Sequence, residues 1–216
     1  METISYPRFT IVKDNFYNNP LKVYNEAHHA EYYEPKYYTG FRSRNVYHEP
    51  RVKFKLEKLL GIKITRWDTD PDEENGVFYQ AFSAGAKQER PGVHSDSPYN
   101  DITVVIYLTP GLPFDCGTSL WMHKQTGLCD PPMVEDARRL KIKIADLRQQ
   151  FETESKNRNK WVEIDRIGYR FNRMVAYPSG ALHSATNHHG GTIKDVRLYQ
   201  TFRIGVDWNT FRMSHA

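Results

Sequence analysis

The chain has 216 residues, the size of one domain with a single sizeable core. A hydrophobic fraction of 39%, with 14 Tyr and 11 Phe, excludes a disordered or fibrous protein. The net charge of +4 comes from 30 basic and 26 acidic residues that are interspersed along the chain, which suits a basic pocket for a small anion and does not by itself indicate a nucleic-acid binder.

The first part of the chain, residues 1–76, is predicted to contain helices and short strands that support a core. In chain order these are a strand at 9–12, a helix at 19–29, an irregular segment at 32–47, a helix at 50–61, a strand at 62–67 and a turn region at 68–76. Asn19-Pro20 indicates the first helix, because proline is favoured in the first helical turn. The second helix is expected to end at Gly61, because glycine readily takes the left-handed conformation that terminates a helix.

The second part of the chain is predicted to be β-rich. Runs of β-branched and aromatic residues lie between turns that contain glycine and proline. These runs are at 77–83, 102–109, 118–123, 161–167, 173–177 and 196–206. Several short strands with turns between them indicate a sandwich or jelly roll. We therefore predict one domain over residues 1–216, of the β-rich α+β class, with its core at about 77–206.

One helix is predicted to interrupt these strands, at about residues 132–156. Its apolar residues fall at steps of four and three, which makes one stripe along a helix. The members of the stripe are Met133, Ala137, Leu140, Ile144, Leu147 and Phe151. The pattern favours a helix packed on its own sheet over a dimer contact or a lid.

The two cysteines, Cys116 and Cys129, indicate neither a disulfide framework nor a thiolate metal site. The polar segment 1–10 lacks the apolar core of a signal peptide. No run approaches the roughly 20 apolar residues that cross a bilayer. We therefore predict a cytoplasmic protein that makes no membrane contact.

Two histidines and one carboxylate form a candidate metal site. His94 and Asp96 are two positions apart, and alternate residues of an extended segment share a face, so both can reach one ion. His183 follows a predicted strand and turn and supplies the third ligand. These ligand types leave adjacent positions open on octahedral iron(II), as oxygen chemistry requires. A zinc hydrolase uses the same ligand types, and His188 and His189 are a second candidate for the third ligand.

The predicted strand at 196–206 carries two arginines on one face. With a period of two, one face holds Arg197, Tyr199, Thr201 and Arg203, and the other holds Leu198, Phe202 and Ile204, with Gln200 as the discordant residue. Arginine suits bidentate binding of a carboxylate, so the pair suggests an anion site. The alternative is a pair of surface arginines that neighbouring acids neutralise.

Tyr107 lies on the predicted strand at 102–109. One face of this strand holds Thr103, Val105, Tyr107 and Thr109, and the other holds Val104, Ile106 and Leu108. The second face suits a core, and the first can offer hydroxyl groups to a pocket. The alternative is a tyrosine whose ring is in the core and whose hydroxyl reaches solvent.

Five segments of the chain occur in an order that is similar to a known superfamily. They are VHSD at 93–96, ITVVIYLTP at 102–110, CGTSLW at 116–121, NRMVAYPSGALHSA at 172–185 and RLYQTFRI at 197–204. In these segments, within about residues 77–206, the chain resembles the iron(II)- and 2-oxoglutarate-dependent dioxygenases, and among them the prolyl-hydroxylase-like members. The opening FTIVKDNFYNNP also resembles the first strand and helix of many members.

The resemblance implies a double-stranded β-helix, the cupin-like jelly roll, with flanking N-terminal helices and one inserted helix. It implies that His94, Asp96 and His183 bind iron(II). It also implies that Arg197 pairs with the distal carboxylate of 2-oxoglutarate and that Tyr107 donates a hydrogen bond to the same carboxylate.

Two further positions follow from the resemblance. The Arg-x5-Arg spacing that ends at Arg203 is similar to that of nucleic-acid alkylation-repair members, in which both arginines serve the cosubstrate. Phe82 stands where prolyl hydroxylases often have a cosubstrate-binding tyrosine, so one hydrogen bond to the cosubstrate is expected to be missing. The long gap between Asp96 and His183 is accounted for by the inserted helix.

The implied activity is that of a non-haem iron oxidoreductase using iron(II), 2-oxoglutarate and O2. We expect it to hydroxylate, or otherwise oxidise, a C–H bond of an amino acid, peptide or protein side chain while 2-oxoglutarate is decarboxylated to succinate. One alternative is an oxidative demethylase of a nucleic-acid base, which salt-sensitive binding to single strands would mark. The other is a non-catalytic metal-binding jelly roll, which would bind metal without producing succinate. Candidates for the substrate mouth, which packing explains equally well, are residues 31–38, Arg42, Arg44 and Trp121.

Overall fold

The structure is a computed structural model, and it describes residues 8–35, 40–70, 72, 74–85, 88, 92–96 and 99–211. The two ends of the predicted domain, 1–7 and 212–216, lie outside the described residues. The protein has a β-rich antiparallel fold with a few helices, which is compatible with the predicted jelly roll.

The helices and strands follow one another in an order close to the predicted one. They are β1 (Ile11–Lys13), α1 (Pro20–His29), β2 (Tyr32–Tyr33), β3 (Phe41–Ser43), α2 (Val52–Leu60), β4 (Lys63–Arg66), β5 (Val77–Ala81), β6 (Ile102–Tyr107), β7 (Thr118–His123), α3 (Val134–Leu140), α4 (Ile144–Glu154), β8 (Trp161–Ile167), β9 (Met174–Pro178), β10 (His183–Ala185) and β11 (Arg197–Asp207). The segment 32–47, predicted to be irregular, contains the short strands β2 and β3.

The strands form two antiparallel sheets. In the larger sheet the order is β1-β9-β6-β11-β5-β3-β2, and β4 pairs with the end of β11. In the smaller sheet the order is β10-β7-β8. The long strand β11 lies between β6 and β5, so its side chains are at the centre of the larger sheet.

The larger sheet has two faces of different character. Its outer face is apolar and includes the fully buried Val104 and Ile106 of β6, which pack in one cluster with Val23 of α1 and Leu56 of α2. Its inner face packs against the smaller sheet, as Tyr107 does against Ile167 of β8. The side-chain alternation predicted for β6 is therefore confirmed, because a strand buried on both faces still separates its odd and even residues.

Gln200, the discordant residue of β11, lies on the apolar outer face and is fully buried. Its side chain is satisfied by hydrogen bonds: Nε2 donates to the carbonyl oxygens of Tyr47 (2.7 Å) and Gly76 (3.0 Å), and Oε1 accepts from the hydroxyl of Tyr17. A buried amide with its partners in place costs little. Gln200 thus holds the turn at residues 74–76 against β11.

The first two helices begin and end much as their sequences predict. Asn19 caps α1 by accepting a hydrogen bond from the backbone N–H of Lys22 at 3.2 Å, and Pro20 is in the first turn. The second helix, α2, begins at Val52 instead of Pro50. It ends at Gly61, whose φ of 64° lies in the left-handed region as predicted.

The inserted segment is two helices, and the prediction of one continuous helix was wrong. Lys141 has a φ of 55° and ends α3, and the N–H of Ile142 donates to the carbonyl of Ala137 at 3.0 Å. The second helix, α4, starts again at Ile144. The apolar stripe continues across the break. The spacing of apolar residues alone therefore does not reveal that one residue takes a left-handed conformation.

The two inserted helices pack on the outside of the smaller sheet, as the apolar stripe predicted, for all its members except Met133, which is 57% exposed. Leu147 and Phe151 are buried against Trp121 of β7 and Trp161 of β8. His123 of β7 is fully buried and is 2.8 Å from a carboxylate oxygen of Glu154 at the end of α4. The insertion is therefore attached to the sheet by both packing and a buried polar contact.

Within the described part of the chain, no helix combines the length and the apolar character needed to cross a membrane.

Candidate metal centre and anion site

The structure brings together the three predicted metal ligands. One nitrogen of His94, one nitrogen of His183 and one carboxylate oxygen of Asp96 all lie within 4.8 Å of one another. His183 Nε2 is 3.6 Å from Asp96 Oδ2, and His94 Nε2 is 3.8 Å from Asp96 Oδ1. This cluster, the candidate metal centre, can hold a metal ion.

A short backbone pairing aligns the two histidines, which are distant in sequence. The N–H of His94 donates to the carbonyl of His183 at 2.9 Å, and the N–H of His183 donates to the carbonyl of His94 at 2.8 Å. Directly opposed residues in an antiparallel pair put their side chains on the same face. The imidazole centroids are consequently 4.4 Å apart. Asp96 is held by a hydrogen bond from its N–H to the carbonyl of Ser179 at 2.9 Å.

The orientation of both imidazoles suits metal binding. Nδ1 of His94 is 3.0 Å from the carbonyl oxygen of Gly92, and Nδ1 of His183 is 2.9 Å from that of Ala181. A carbonyl oxygen only accepts, so each Nδ1 donates its proton there, and each Nε2 faces Asp96. Outer hydrogen bonds of this kind are what fix metal-binding histidines in other proteins.

The charge states of the buried ligands also suit a cation. Burial would raise the pKa of the Asp96 carboxyl, but the charge of Arg203, the two histidines and a hydrogen bond from Thr103 lower it well below its usual value. Burial lowers the pKa of His183 to about 4 against the opposing effect of Asp96. At neutral pH the centre therefore presents an ionised carboxylate and a neutral imidazole, which are the forms that bind metals.

His188 and His189, the second candidate for the third ligand, do not belong to this centre. Among the described residues the group that can hold a metal ion consists of His94, Asp96 and His183. His189 instead serves β11, because its carbonyl accepts a hydrogen bond from the N–H of Arg197 at 3.3 Å.

Arg197 is a buried guanidinium, 2% exposed, on the inner face of the larger sheet. Its Nε donates to the carbonyl of Cys116 at 2.6 Å and its Nη2 to that of Gly117 at 3.2 Å. The guanidinium lies 4.4 Å from the ring centroid of Tyr199 and 5.5 Å from that of Tyr107. Among the described residues Arg197 makes no salt bridge. We call Arg197, Tyr107 and Tyr199 the candidate anion site.

Tyr107 is fully buried beside Arg197. Its hydroxyl donates to Oγ1 of Thr118 at 2.8 Å, and its ring stacks on Tyr169 at 4.7 Å. Burial raises the pKa of Tyr107, with Arg197 acting in the opposite direction. The hydroxyl therefore stays protonated at neutral pH and can donate a hydrogen bond.

Tyr79 is a residue of this region that the sequence analysis missed. It lies on β5 directly opposite Tyr199, and the two rings stack at 5.0 Å. Its buried hydroxyl has no hydrogen-bond partner among the described residues. Phe82, expected at the tyrosine position of this strand, instead packs against Phe41 at 5.9 Å in the outer cluster.

The alternation along β5 could not identify Tyr79 from sequence. All five residues of the strand are buried, so its pattern lacks a polar face. Tyr79 is identified by the register of β5 against β11, and that register exists only in the folded sheet.

Arg203 occupies the same face of β11 as Arg197 but has acidic partners. Its Nη1 forms an ion pair with Oδ2 of Asp96, and its Nε donates to Glu74 Oε2 at 2.8 Å. Nη1 also lies 3.4 Å from Oγ1 of Thr103. The role of Arg203 toward a cosubstrate stays a prediction, and Glu74 is a second residue that the sequence analysis did not single out.

Two suggested residues of the substrate mouth are engaged elsewhere. Arg42 forms an ion pair with Glu74. Trp121 packs under the inserted helices, with its Nε1 donating to Ser184 Oγ at 3.0 Å. Of the aromatic stretch at 31–38, residues 36–38 lie outside the described residues.

Comparison with known proteins identifies one family. A sequence model described as "Family of unknown function (DUF6445)" matches residues 6–197. The match includes the candidate metal centre and ends at Arg197, so Arg203 lies beyond it. No curated protein and no solved structure matches the chain.

Proposed function

The chain belongs to DUF6445, a family of unknown function, and on that premise we propose that it is an iron(II)- and 2-oxoglutarate-dependent dioxygenase. Its two facing antiparallel sheets would form a double-stranded β-helix. The observation that carries the proposal is the combination of a His-Asp-His centre with a buried guanidinium that makes no salt bridge among the described residues.

The candidate metal centre fits iron(II) by its donor set. Two imidazoles and one carboxylate form a facial triad that leaves three adjacent positions open. When bound, iron with 2-oxoglutarate and O2 would supply the oxidation of a substrate C–H bond coupled to the formation of succinate. A carboxylate at Asp96 favours hydroxylation or a related oxidation over halogenation.

The candidate anion site fits the far carboxylate of 2-oxoglutarate. A buried guanidinium without an acidic partner strongly favours an incoming anion, and arginine binds carboxylates bidentately. The Tyr107 hydroxyl is buried and protonated, and it would donate to the same group by turning its one proton away from Thr118. The hydroxyl of Tyr79, which has no hydrogen-bond partner in the part of the chain that the structure describes, offers a further donor on the neighbouring strand. These residues would bind and orient the diacid and exclude water from it.

The substrate is proposed to be an amino acid, peptide or protein side chain. This assignment follows the likeness to prolyl-hydroxylase-like enzymes in the segments around His94, Asp96, His183 and Arg197. A nucleic-acid base is the competing substrate class, and binding to single-stranded oligonucleotides that weakens steeply with salt would favour it.

The test is an anaerobic titration of the purified protein with iron(II) and then with 2-oxoglutarate. We expect a weak visible charge-transfer band from the chelated keto acid. The band should be absent in His94→Ala, which loses a metal ligand, and in Arg197→Ala, which loses the proposed carboxylate partner. Asp14→Asn is a matched control, because Asp14 is paired with Arg173 and Arg170 outside the metal centre.

Exposure of the loaded protein to O2 completes the test. Succinate should form slowly even without substrate and faster when the correct substrate is added. Metal binding without the charge-transfer band and without succinate would contradict the proposed function and favour a non-catalytic metal-binding protein.

A further inference from the structure

Four charged side chains of alternating sign extend away from the candidate metal centre. Asp96 pairs with Arg203, Arg203 pairs with Glu74, and Glu74 pairs with Arg42. The side chains of Arg203, Glu74 and Arg42 are only 13–14% exposed, and that of Asp96 is 2% exposed. This series connects the candidate metal centre to β3, which lies next to the edge strand of the larger sheet.

We propose that Glu74 is a positioning residue of the metal centre. It holds Arg203 against one oxygen of Asp96 and offsets the charge of Arg203, so that the Arg203 charge does not cancel the attraction of the Asp96 carboxylate for a divalent ion. The inference rests on the proposed function only in assuming that the His-Asp-His centre binds a metal.

The first support is the way in which the two oxygens of Asp96 are used. Oδ2 accepts a hydrogen bond from Thr103 and forms the ion pair with Arg203. Oδ1 faces His94, with 3.8 Å between it and Nε2. Two donors on Oδ2 fix the rotation of the carboxylate, which is how outer residues orient a metal ligand.

The second support is the way in which Glu74 is built into the fold. The N–H of Gly76 donates to the carbonyl of Thr201 at 2.7 Å, and Gln200 Nε2 donates to the carbonyl of Gly76 at 3.0 Å. Glu74 itself has a φ of 55°, which a residue with a side chain adopts only at an energetic cost. Such a conformation persists where its surroundings impose it, and here they direct the Glu74 carboxylate at two guanidiniums.

The third support is electrostatic. Arg203 alone beside Asp96 would cancel the charge that attracts a cation to the centre. Glu74 opposes that effect, and Arg42 in turn opposes Glu74. Removing the Glu74 carboxylate therefore makes the net charge near the ion more positive by one, whereas removing the Arg42 guanidinium makes it more negative by one. Charges in a partly buried site are poorly screened, so the two removals should change metal affinity in opposite directions.

The experiment measures binding of cobalt(II) to the metal-free protein from its visible absorption bands, which report both the dissociation constant and the geometry of the site. We expect Glu74→Gln to weaken binding about tenfold or more, the usual effect of removing an outer partner. Arg42→Met keeps a long side chain near Tyr79 and should bind cobalt as tightly as the wild type or more tightly. A general loss of structure would weaken binding in both variants.

The matched control is Asp14→Asn. Asp14 is also a carboxylate shared by two arginines, with Nε of Arg173 at 2.6 Å and Nη1 of Arg170 at 2.8 Å, and it touches none of the metal ligands. Its cobalt affinity and absorption bands should equal those of the wild type. Far-ultraviolet circular dichroism confirms that each variant is folded at the assay temperature.

The outcomes separate the inference from the proposed function. Wild type that fails to bind cobalt, or His94→Ala that binds it normally, would refute the metal centre itself. If His94→Ala loses cobalt and Glu74→Gln binds it like the wild type, the metal centre stands and the inference is overturned. If Glu74→Gln does not fold, Arg42→Met decides, because weaker cobalt binding in that variant contradicts the predicted sign.

Discussion

Two arginines on one face of β11 have different surroundings. Arg197 is enclosed by the carbonyls of Cys116 and Gly117 and by aromatic rings, and it makes no salt bridge among the described residues. Arg203, six positions later, pairs with Asp96 and with another acid. Strand periodicity treats the two as equivalent, and it allows both to be anion ligands or both to be paired with acids.

The charges of the two arginines are compensated differently. Burial would lower the pKa of Arg203, but the charges of Asp96 and Glu74 raise it well above the usual value, so its charge is compensated within the protein. Among the described residues, the charge of Arg197 is offset by carbonyl dipoles and aromatic rings, and a bound carboxylate would neutralise it. Arg203 thus contacts a ligand of the candidate metal centre, and Arg197 is the arginine that we propose to bind an anion.

Among the variants that test this difference, Arg203→Met should have the largest effect on stability. This change leaves Asp96 and Glu74 buried without their common partner, and we expect the free energy of unfolding to fall by about 3–5 kcal/mol. Urea denaturation of the metal-free protein measures it. Arg166→Met, which breaks an ion pair whose arginine is 50% exposed, should cost less than about 1 kcal/mol. Equal losses in the two variants would contradict the distinction.

Arg197→Met should act on ligand binding more than on the metal. We expect the affinity for 2-oxoglutarate, measured anaerobically on the cobalt(II) protein by calorimetry, to fall about 100-fold, because a buried charge partner of the diacid is removed. The dissociation constant for cobalt should stay within about threefold of the wild-type value, since Arg197 touches none of the metal ligands. A parallel loss of both affinities would show that the two arginines share one task.

Tyr107→Phe tests the neighbour of Arg197. It removes the hydrogen bond to Thr118 in a buried setting, so the free energy of unfolding should fall by about 1 kcal/mol. The affinity for 2-oxoglutarate should fall about tenfold, less than in Arg197→Met, because a neutral hydrogen bond is weaker than a charged one. Unchanged diacid binding would remove Tyr107 from the anion site.

Tyr79→Phe gives the smallest change in stability. Its hydroxyl has no partner among the described residues, so its loss should leave the free energy of unfolding equal or raise it by up to about 1 kcal/mol. Tyr169→Phe is the contrast, because that hydroxyl bonds both backbone groups of Thr109 at 2.8 and 2.9 Å. A drop in 2-oxoglutarate affinity in Tyr79→Phe without a drop in stability would identify Tyr79 as a ligand donor, and an equal loss of stability in both variants would contradict the assignment.

Patterns that depend on a short, regular period were predicted well. The alternation of β6 separated Val104 from Tyr107, and the apolar stripe of the insertion placed Leu147 and Phe151 on the smaller sheet. Each pattern repeats within a few residues, and burial of its apolar face stabilises the fold directly. The same stripe did not reveal that Lys141 divides the insertion into two helices, since a single backbone angle leaves apolar spacing unchanged.

Contacts that depend on register or on distant loops were not predicted. Tyr79 was missed because β5 is buried on both faces, and Glu74 was missed because an acid in a polar turn looks like any surface acid. Gln200 could be recognised as discordant, but its partners Tyr47 and Gly76 come from segments far away in the chain.

The sequence by itself determined most of the strands, though not β2, β3 and β10, and the inward and outward faces of β6 and β11, because these follow from local periodicity. The three candidate metal ligands followed from the chemistry of their side chains and from the resemblance of the segments around them to known dioxygenases. Only the tertiary structure decided which acid reaches which arginine. An ion pair such as that between Arg203 and Asp96 depends on a separation of a few ångströms between chain segments more than a hundred residues apart, and that distance exists only once the sheets have formed.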